Sequence, residues 1–217
     1  MHSKWNYKMA TIKDIAYLHT ADEFELLRFH RLRFRGNDLS EKYFLNVTFE
    51  ECDFSAERFR EATFRNCRFV NCNWALAKFP ESALFACDFT SCHLVGIDWT
   101  QFKWKRQLTR RKNRFDVSFT DCAMNYGVFV AMKMHRAVFR DCLLREALFT
   151  DADLEAADFS GCDLEGATFG GTDLTAANLS TARNYAINAC ANTLTRARFS
   201  FPEALALLYA LDIDLEE

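Results

Sequence analysis

Cysteine is the residue type in this chain best equipped for chemistry. Nine cysteines stand at 52, 67, 72, 87, 92, 122, 142, 162 and 190, enough for disulfides, a thiolate metal site or core packing. Their spacing separates these readings. The first eight share one remainder on division by five, a regularity that neither disulfides nor zinc ligands require. Cys67 and Cys72 then fall on successive sides of a bending chain. His93 points away from its neighbour Cys92, so a shared metal is not expected. The other histidines, at 2, 19, 30 and 135, are scattered. Dinucleotide, P-loop, zinc-protease and serine-hydrolase motifs are absent. The expectation is no catalytic residue, no metal and no cofactor, with the cysteines as small core hydrophobes. Reduced thiols, and an N-terminus without an apolar signal stretch, predict a cytoplasmic protein.

Charge is the second feature with chemical potential. Residues 1–114 carry 20 Lys/Arg against 14 Asp/Glu, a net of +6, and residues 115–217 carry 7 against 16, a net of −9. Eight acids and no base lie between 146 and 173: Glu146, Asp151, Asp153, Glu155, Asp158, Asp163, Glu165 and Asp173. All fall in outward phases and predict a one-sign surface for a basic partner, unless the Asp before each large residue simply serves the repeat's own structure. Lys103, Lys105, Arg106, Arg110, Arg111, Lys112 and Arg114 put seven bases in twelve residues, a patch suited to an acidic protein surface or to phosphates. The overall charge of −3 excludes a strongly basic nucleic-acid binder, and direct sequence-specific binding is not expected.

What must position these charges is a five-residue repeat. Of the 36 positions 24, 29, 34 and onward to 199, 32 are large and apolar, and they hold 18 of the 22 phenylalanines. The exceptions are Thr109, Arg114, Asn184 and Ala189. Two residues before each large one stands a small one, such as Ala62, Cys67, Cys72 or Ala147, and the remaining positions are mostly polar. A period of five fits neither a helix nor a flat strand. It fits a chain that bends every five residues, with the large residue at the centre and the small one at the corner. Seven Gly and two Pro are too few for a turn-rich sandwich or barrel. The longest apolar run, Ala204 to Leu211, is too short for a membrane span.

The units Ala152-Asp153-Leu154-Glu155-Ala156, Ala157-Asp158-Phe159-Ser160-Gly161 and Cys162-Asp163-Leu164-Glu165-Gly166 resemble the A(D/N)LXX signature of pentapeptide-repeat proteins. The resemblance spans residues 22–200. It implies an all-β fold, a right-handed quadrilateral β-helix with 20 residues per coil. Cys52, Cys72 and Cys92 then form one column, and Cys122, Cys142 and Cys162 another, out of register by ten residues. The repeat also fails over Lys105 to Arg114, so this segment is expected to be a loop extruded from one corner. About eight to nine coils remain, a rod of roughly 40 Å. Residues 1–21 carry no repeat and are expected to cap the open end.

Residues 201–217 form a third segment. Ser200-Phe201-Pro202-Glu203 has a capping-box pattern, which predicts an apolar helix over Ala204–Leu211. So short a helix must bury a face, against the last coil or a copy of itself. The tail, Arg196-Ala197-Arg198-Phe199-Ser200-Phe201-Pro202-Glu203-Ala204 with Leu207-Leu208 and Leu211-Asp212-Ile213, resembles that of the gyrase-protecting group, the Qnr-type and above all the albicidin-resistance pentapeptide proteins. That resemblance implies a homodimer through Leu205, Leu207, Leu208, Leu211 and Ile213. It also implies binding to DNA gyrase and topoisomerase IV, mimicry of duplex DNA by the acidic surface, and protection from a topoisomerase poison. Two other readings remain: a generic interaction scaffold with another partner, and a carbohydrate-active β-helix enzyme.

Overall fold

The computed structural model describes residues 9–37, 39–103, 116–209 and 211. Its strands are short: β1 (Ala10–Ile12), β2 (Glu23–Glu25), β3 (Leu27–His30), β4 (Tyr43–Leu45), β5 (Thr48–Glu50), β6 (Thr63–Arg65), β7 (Arg68–Val70), β8 (Ala83–Phe85), β9 (Asp88–Thr90), β10 (Ser118–Thr120), β11 (Val138–Arg140), β12 (Asn178–Leu179) and β13 (Arg198–Phe199). All pair in parallel. The first face is the sheet β2-β4-β6-β8, and the second is β1-β3-β5-β7-β9-β10-β11. Single bridges build the third face, from Arg33↔Asp53 down to Asp163↔Arg183, and the fourth, through Arg58↔Lys78, Asp98↔Val128 and Leu148↔Thr168. The result is a four-sided solenoid of about nine turns.

Partners are 20 residues apart in the first coils, as in Phe49↔Phe69. Past the insertion they are 30 apart, as in Phe119↔Phe89, and then 20 again, as in Phe119↔Phe139. Ten extra residues therefore enter between Lys103, whose N–H donates to the Ser82 carbonyl at 2.7 Å, and Ser118. The expected loop over 105–114 lies outside the described residues.

The core follows from the register. Phe29, Phe49, Phe69, Phe89, Phe119, Phe139 and Phe159 stack down the second face with centroids 4.6 to 5.3 Å apart. Rings on adjacent faces meet edge to face, as Phe49 meets Phe64 at 71°. Both are favoured arrangements of the ring quadrupole. The small position lies under the corner. Cys52, Cys67, Cys72, Cys87, Cys92, Cys122, Cys142 and Cys162 are buried there and free, whereas Cys190 is exposed. The Cys72 thiol lies 3.4 Å from the carbonyls of Phe49 and Val70, and burial pushes the Cys67 and Cys72 thiols up, so both stay protonated. Ser82 takes the same place, its hydroxyl donating to the Phe59 carbonyl at 2.8 Å.

Two departures mark where the repeat strains. Phe102 and Met132 occupy small positions on either side of the insertion and are both buried, Phe102 stacking on Phe79 at 4.6 Å. At Asn184 and Ala189 the core is filled instead by Tyr185 and Ile187. Burial and the nearby Glu203 push the Tyr185 hydroxyl up to about 12.

The corners are β-turns. Ala77 N–H donates to the Trp74 carbonyl at 3.0 Å, and Ala157 N–H to Leu154 at 2.9 Å, each across a residue with positive φ. This is the hydrogen bonding of a type II turn. Asp or Asn before the large residue tightens the next bend. Asp173 accepts from Thr175 N–H at 2.8 Å, and Asp53 does the same for Ser55 at 3.0 Å.

Both ends are covered. A 3-10 helix, Ile15–His19, buries Leu18 completely against the first coil, and β1 pairs with β3 beside it. The other end differs from the expected helix over Ala204–Leu211. A 3-10 turn, Glu203–Leu205, leads into one α-helical turn, α1 (Ala206–Tyr209). Pro202 occupies the cap without a side-chain hydrogen bond, so no capping box forms. Ser200 still belongs to the last coil, where its hydroxyl accepts from Thr181 N–H at 3.2 Å and cannot serve the helix.

Candidate functional site

The eight acids of the 146–173 segment separate by their place in the pentapeptide. Asp153, Asp158, Asp163 and Asp173 precede a large residue, and each accepts from the backbone N–H two residues on. They serve the turns and are half-buried or buried. Glu146, Asp151, Glu155 and Glu165 follow a large residue and are exposed. The acids also do not share one face. Asp153, Glu155 and Asp173 lie on the first, Asp158 on the second and Asp163 with Glu165 on the third, so the carboxylates encircle the rod. Glu146 occupies the corner after the third face, over Gly166, where a Cβ would stand 2.6 Å from its carboxylate.

Two sequence expectations need correction. Asp163 does not face outward: it is completely buried. Its carboxylate accepts from Arg145 at 2.7 Å and Asn184 at 2.9 Å, with Arg183 at 3.4 Å. Burial alone would raise this carboxyl, but the hydrogen bonds of Asn184 and Arg145 hold it below the usual range. The surface is also not of one sign. Stacking brings bases from coils outside the segment onto the acids: Arg140 meets Asp158 at 2.6 Å, and Arg145 meets Glu165 at 3.2 Å. His135 stands 2.7 Å from Asp153 and 3.0 Å from Glu155. A count along the chain misses these neighbours because they are 18 to 20 residues away. Folding the sequence into 20-residue rows would have found them.

Of the expected basic patch, Lys103 is described and pairs with Glu81 at 2.7 Å. Lys105, Arg106, Arg110, Arg111, Lys112 and Arg114 lie outside the described residues. The tail's apolar residues divide. Leu207 and Ala206 are partly buried and pack against the core of their own chain. Leu205 and Leu211 are exposed, Leu208 is half-buried, and Ile213 lies outside the described residues. Phe201, absent from the expected interface, is 80% exposed. Its signal was a Phe outside the five-residue phase. Among the described residues no His, Cys, Asp and Glu cluster has metal-binding geometry, and no helix is long and apolar enough to cross a membrane.

A parallel four-sided solenoid with a ring-stacked interior and a charged exterior defines a repeat protein whose outer surface is the part available to partners. The family description "Pentapeptide repeat region" matches residues 42–113 and 111–179, and the chain belongs to this family. Among solved structures it is similar to HetL, a pentapeptide-repeat protein involved in heterocyst differentiation regulation from the cyanobacterium Nostoc sp. strain PCC 7120. The identity is 19% and the TM-score 0.58, over 84% of this chain and 89% of that one. It is also similar to two trypsin-treated forms of QnrB1, a plasmid-mediated fluoroquinolone resistance protein. Each is 19% identical over 89% of this chain and 90% of that one, with TM-scores of 0.54 and 0.57. No curated protein matches the sequence.

Proposed function

We propose that this chain is a non-enzymatic, cytoplasmic, dimeric protein that binds a type II topoisomerase, DNA gyrase or topoisomerase IV, and protects it from a poison. The observation that carries this reading is the set of exposed carboxylates, Glu146, Asp151, Glu155 and Glu165, presented by a rod whose interior is filled. Such a surface attracts the basic channel in which a topoisomerase holds DNA. The likeness to QnrB1 and the tail's resemblance to the albicidin-resistance proteins support the same reading. The buried and turn-bound aspartates hold the shape, and the exposed four meet the enzyme. Dimerisation uses Leu205, Leu208 and Leu211 with Phe201, and the basic insertion modulates protection.

The test is a gyrase supercoiling assay with albicidin or a fluoroquinolone, titrating this protein. Rescue of supercoiling is expected. Absence of rescue and of inhibition with both poisons refutes the proposal. A second reading, a scaffold with another partner, is favoured by the ion pairs that neutralise part of the acidic surface, and by the equal likeness to HetL.

A further inference from the structure

The corner between the third and fourth faces carries an apolar stripe. Its stack runs Ala56, Leu76, Gly96, Tyr126, fixed by the corner N–H of Leu76 to the Val95 carbonyl and of Gly96 to the Asn125 carbonyl, both at 2.9 Å. Leu76 and Tyr126 are each 61% exposed, with φ of +58° and +59°. That conformation favours Gly, Asn or Asp, and water disfavours an apolar side chain. Leucine and tyrosine are thus disfavoured twice at these positions. Between them Gly96 leaves a notch. Leu76 leans over it, its Cδ2 standing 2.8 Å from where a Cβ would be. A cavity of about 420 Å³ opens on the Leu76 side of the notch, lined by Ala56, Leu76, Lys78, Gly96 and Asp98 among others and not by Tyr126.

Two bases, Arg58 and Lys78, and two acids, Asp98 and Glu57, lie beside the notch, and the Glu57 carboxylate is already engaged, accepting from Gly36 N–H at 3.1 Å. Arg58 and Lys78 are bridged in register, so like charges stack on adjacent coils. Among the described residues neither makes an ion pair. The Asp98 carboxylate is occupied by its own turn, accepting from Thr100 N–H at 3.0 Å and the Gln101 amide at 3.1 Å. The spacing has a helical counterpart. Two coil steps separate Leu76 from Tyr126, about 10 Å at ~4.8 Å per coil. Residues i and i+7 of an α-helix are about 10.5 Å apart.

We propose that this corner is a docking groove for an amphipathic helix of a partner protein. The helix straddles Leu76 and Tyr126 with its apolar side chains, fills the notch at Gly96, and turns carboxylates toward Arg58 and Lys78. This surface adjoins the acidic coils, since Glu146 follows Tyr126 in the same corner stack, but it does not depend on the topoisomerase reading.

The test uses two synthetic 15-residue helical peptides with the same leucine stripe, one flanked by Glu and one by Lys, titrated into the full chain by NMR. The Glu peptide is expected to shift the amides of Leu76, Gly96 and Tyr126 and to bind at least tenfold more tightly. Leu76→Asp should abolish this with an unchanged circular dichroism spectrum, and Arg58→Glu with Lys78→Glu should invert the preference. Equal binding of the two peptides, binding elsewhere or no binding overturns the proposal. So does a Leu76→Asp change that alters the sedimentation of the free protein, since a second copy would then be the occupant.

Discussion

Ser118 lies in register with Asp88, thirty residues earlier, and its hydroxyl donates to the Asp88 carboxylate. The stack on the second face is unbroken although the chain has taken ten extra residues to reach it. Deleting Lys105–Arg114 restores the twenty-residue spacing and should leave the coil intact. The expected result is an unchanged circular dichroism spectrum with altered protection in the supercoiling assay. A collapsed spectrum would show that the segment is part of a coil.

Asp163 ties three coils together through Arg145, Arg183 and Asn184. Asp163→Ala removes the shared acceptor of two half-exposed guanidinium groups, which water can rehydrate, and should cost about 1–2 kcal/mol, read as a lower denaturant midpoint. Its carboxyl is held below the usual range in the folded state. The stability it adds is therefore present above the unfolded-state value of about 3.9 and is lost as pH falls through the folded value. Acid titrations of wild type and Asp163→Ala should begin to approach each other as pH falls below about 4 and should come together below the folded-state value. A gap that stays constant there would contradict the linkage.

The aromatic column should be the main reservoir of stability. Phe49 stacks between Phe29 and Phe69 at 5.2 and 5.0 Å. Phe49→Ala should cost about 3–5 kcal/mol, because neighbours fixed by the coil register cannot close the cavity. Equilibrium unfolding measures it, and a loss below 1 kcal/mol would mean that the coils collapse onto the gap.

The tail separates two roles. Leu207 packs on the core of its own chain, so Leu207→Asp should lower the melting temperature. Leu208→Asp should give a monomer by light scattering with little change in melting temperature. An unchanged dimer would remove the tail from the interface.

If the exposed carboxylates meet the enzyme, then Glu146→Gln with Asp151→Asn should weaken rescue of supercoiling more than Asp153→Asn with Asp173→Asn does once folding is matched. Equal effects from the two pairs would mean that position within the pentapeptide does not sort the acids by role.

The fold was legible because one phase of the repeat carries almost all the large apolar residues, and Phe49 or Phe139 declares its own burial. The ten-residue slip was legible in the cysteines, since Cys92 and Cys122 stand thirty apart. The charged surface was only half legible. Asp163 reads as one more outward aspartate until Arg145 and Arg183 are stacked beside it, and that partnership exists only once 20-residue rows are laid side by side. Leu76 and Tyr126 were passed over because a five-residue average hides single apolar corners among polar ones. The tail was misread where Ser200 had two possible tasks, and the last coil claimed it.

Leu18 and Leu207 also bear on how long the molecule is. Each coil offers the next the same unpaired carbonyls and the same apolar floor, so the repeat holds no instruction to stop. A stack of this kind would polymerise end on end, as cross-β fibrils do. The Ile15–His19 turn and the single turn of α1 stand in the way of that stacking at the two ends of the described solenoid. A handful of side chains at the two ends thus governs solubility for the whole chain, and damage there should appear as fibres before it appears as unfolding.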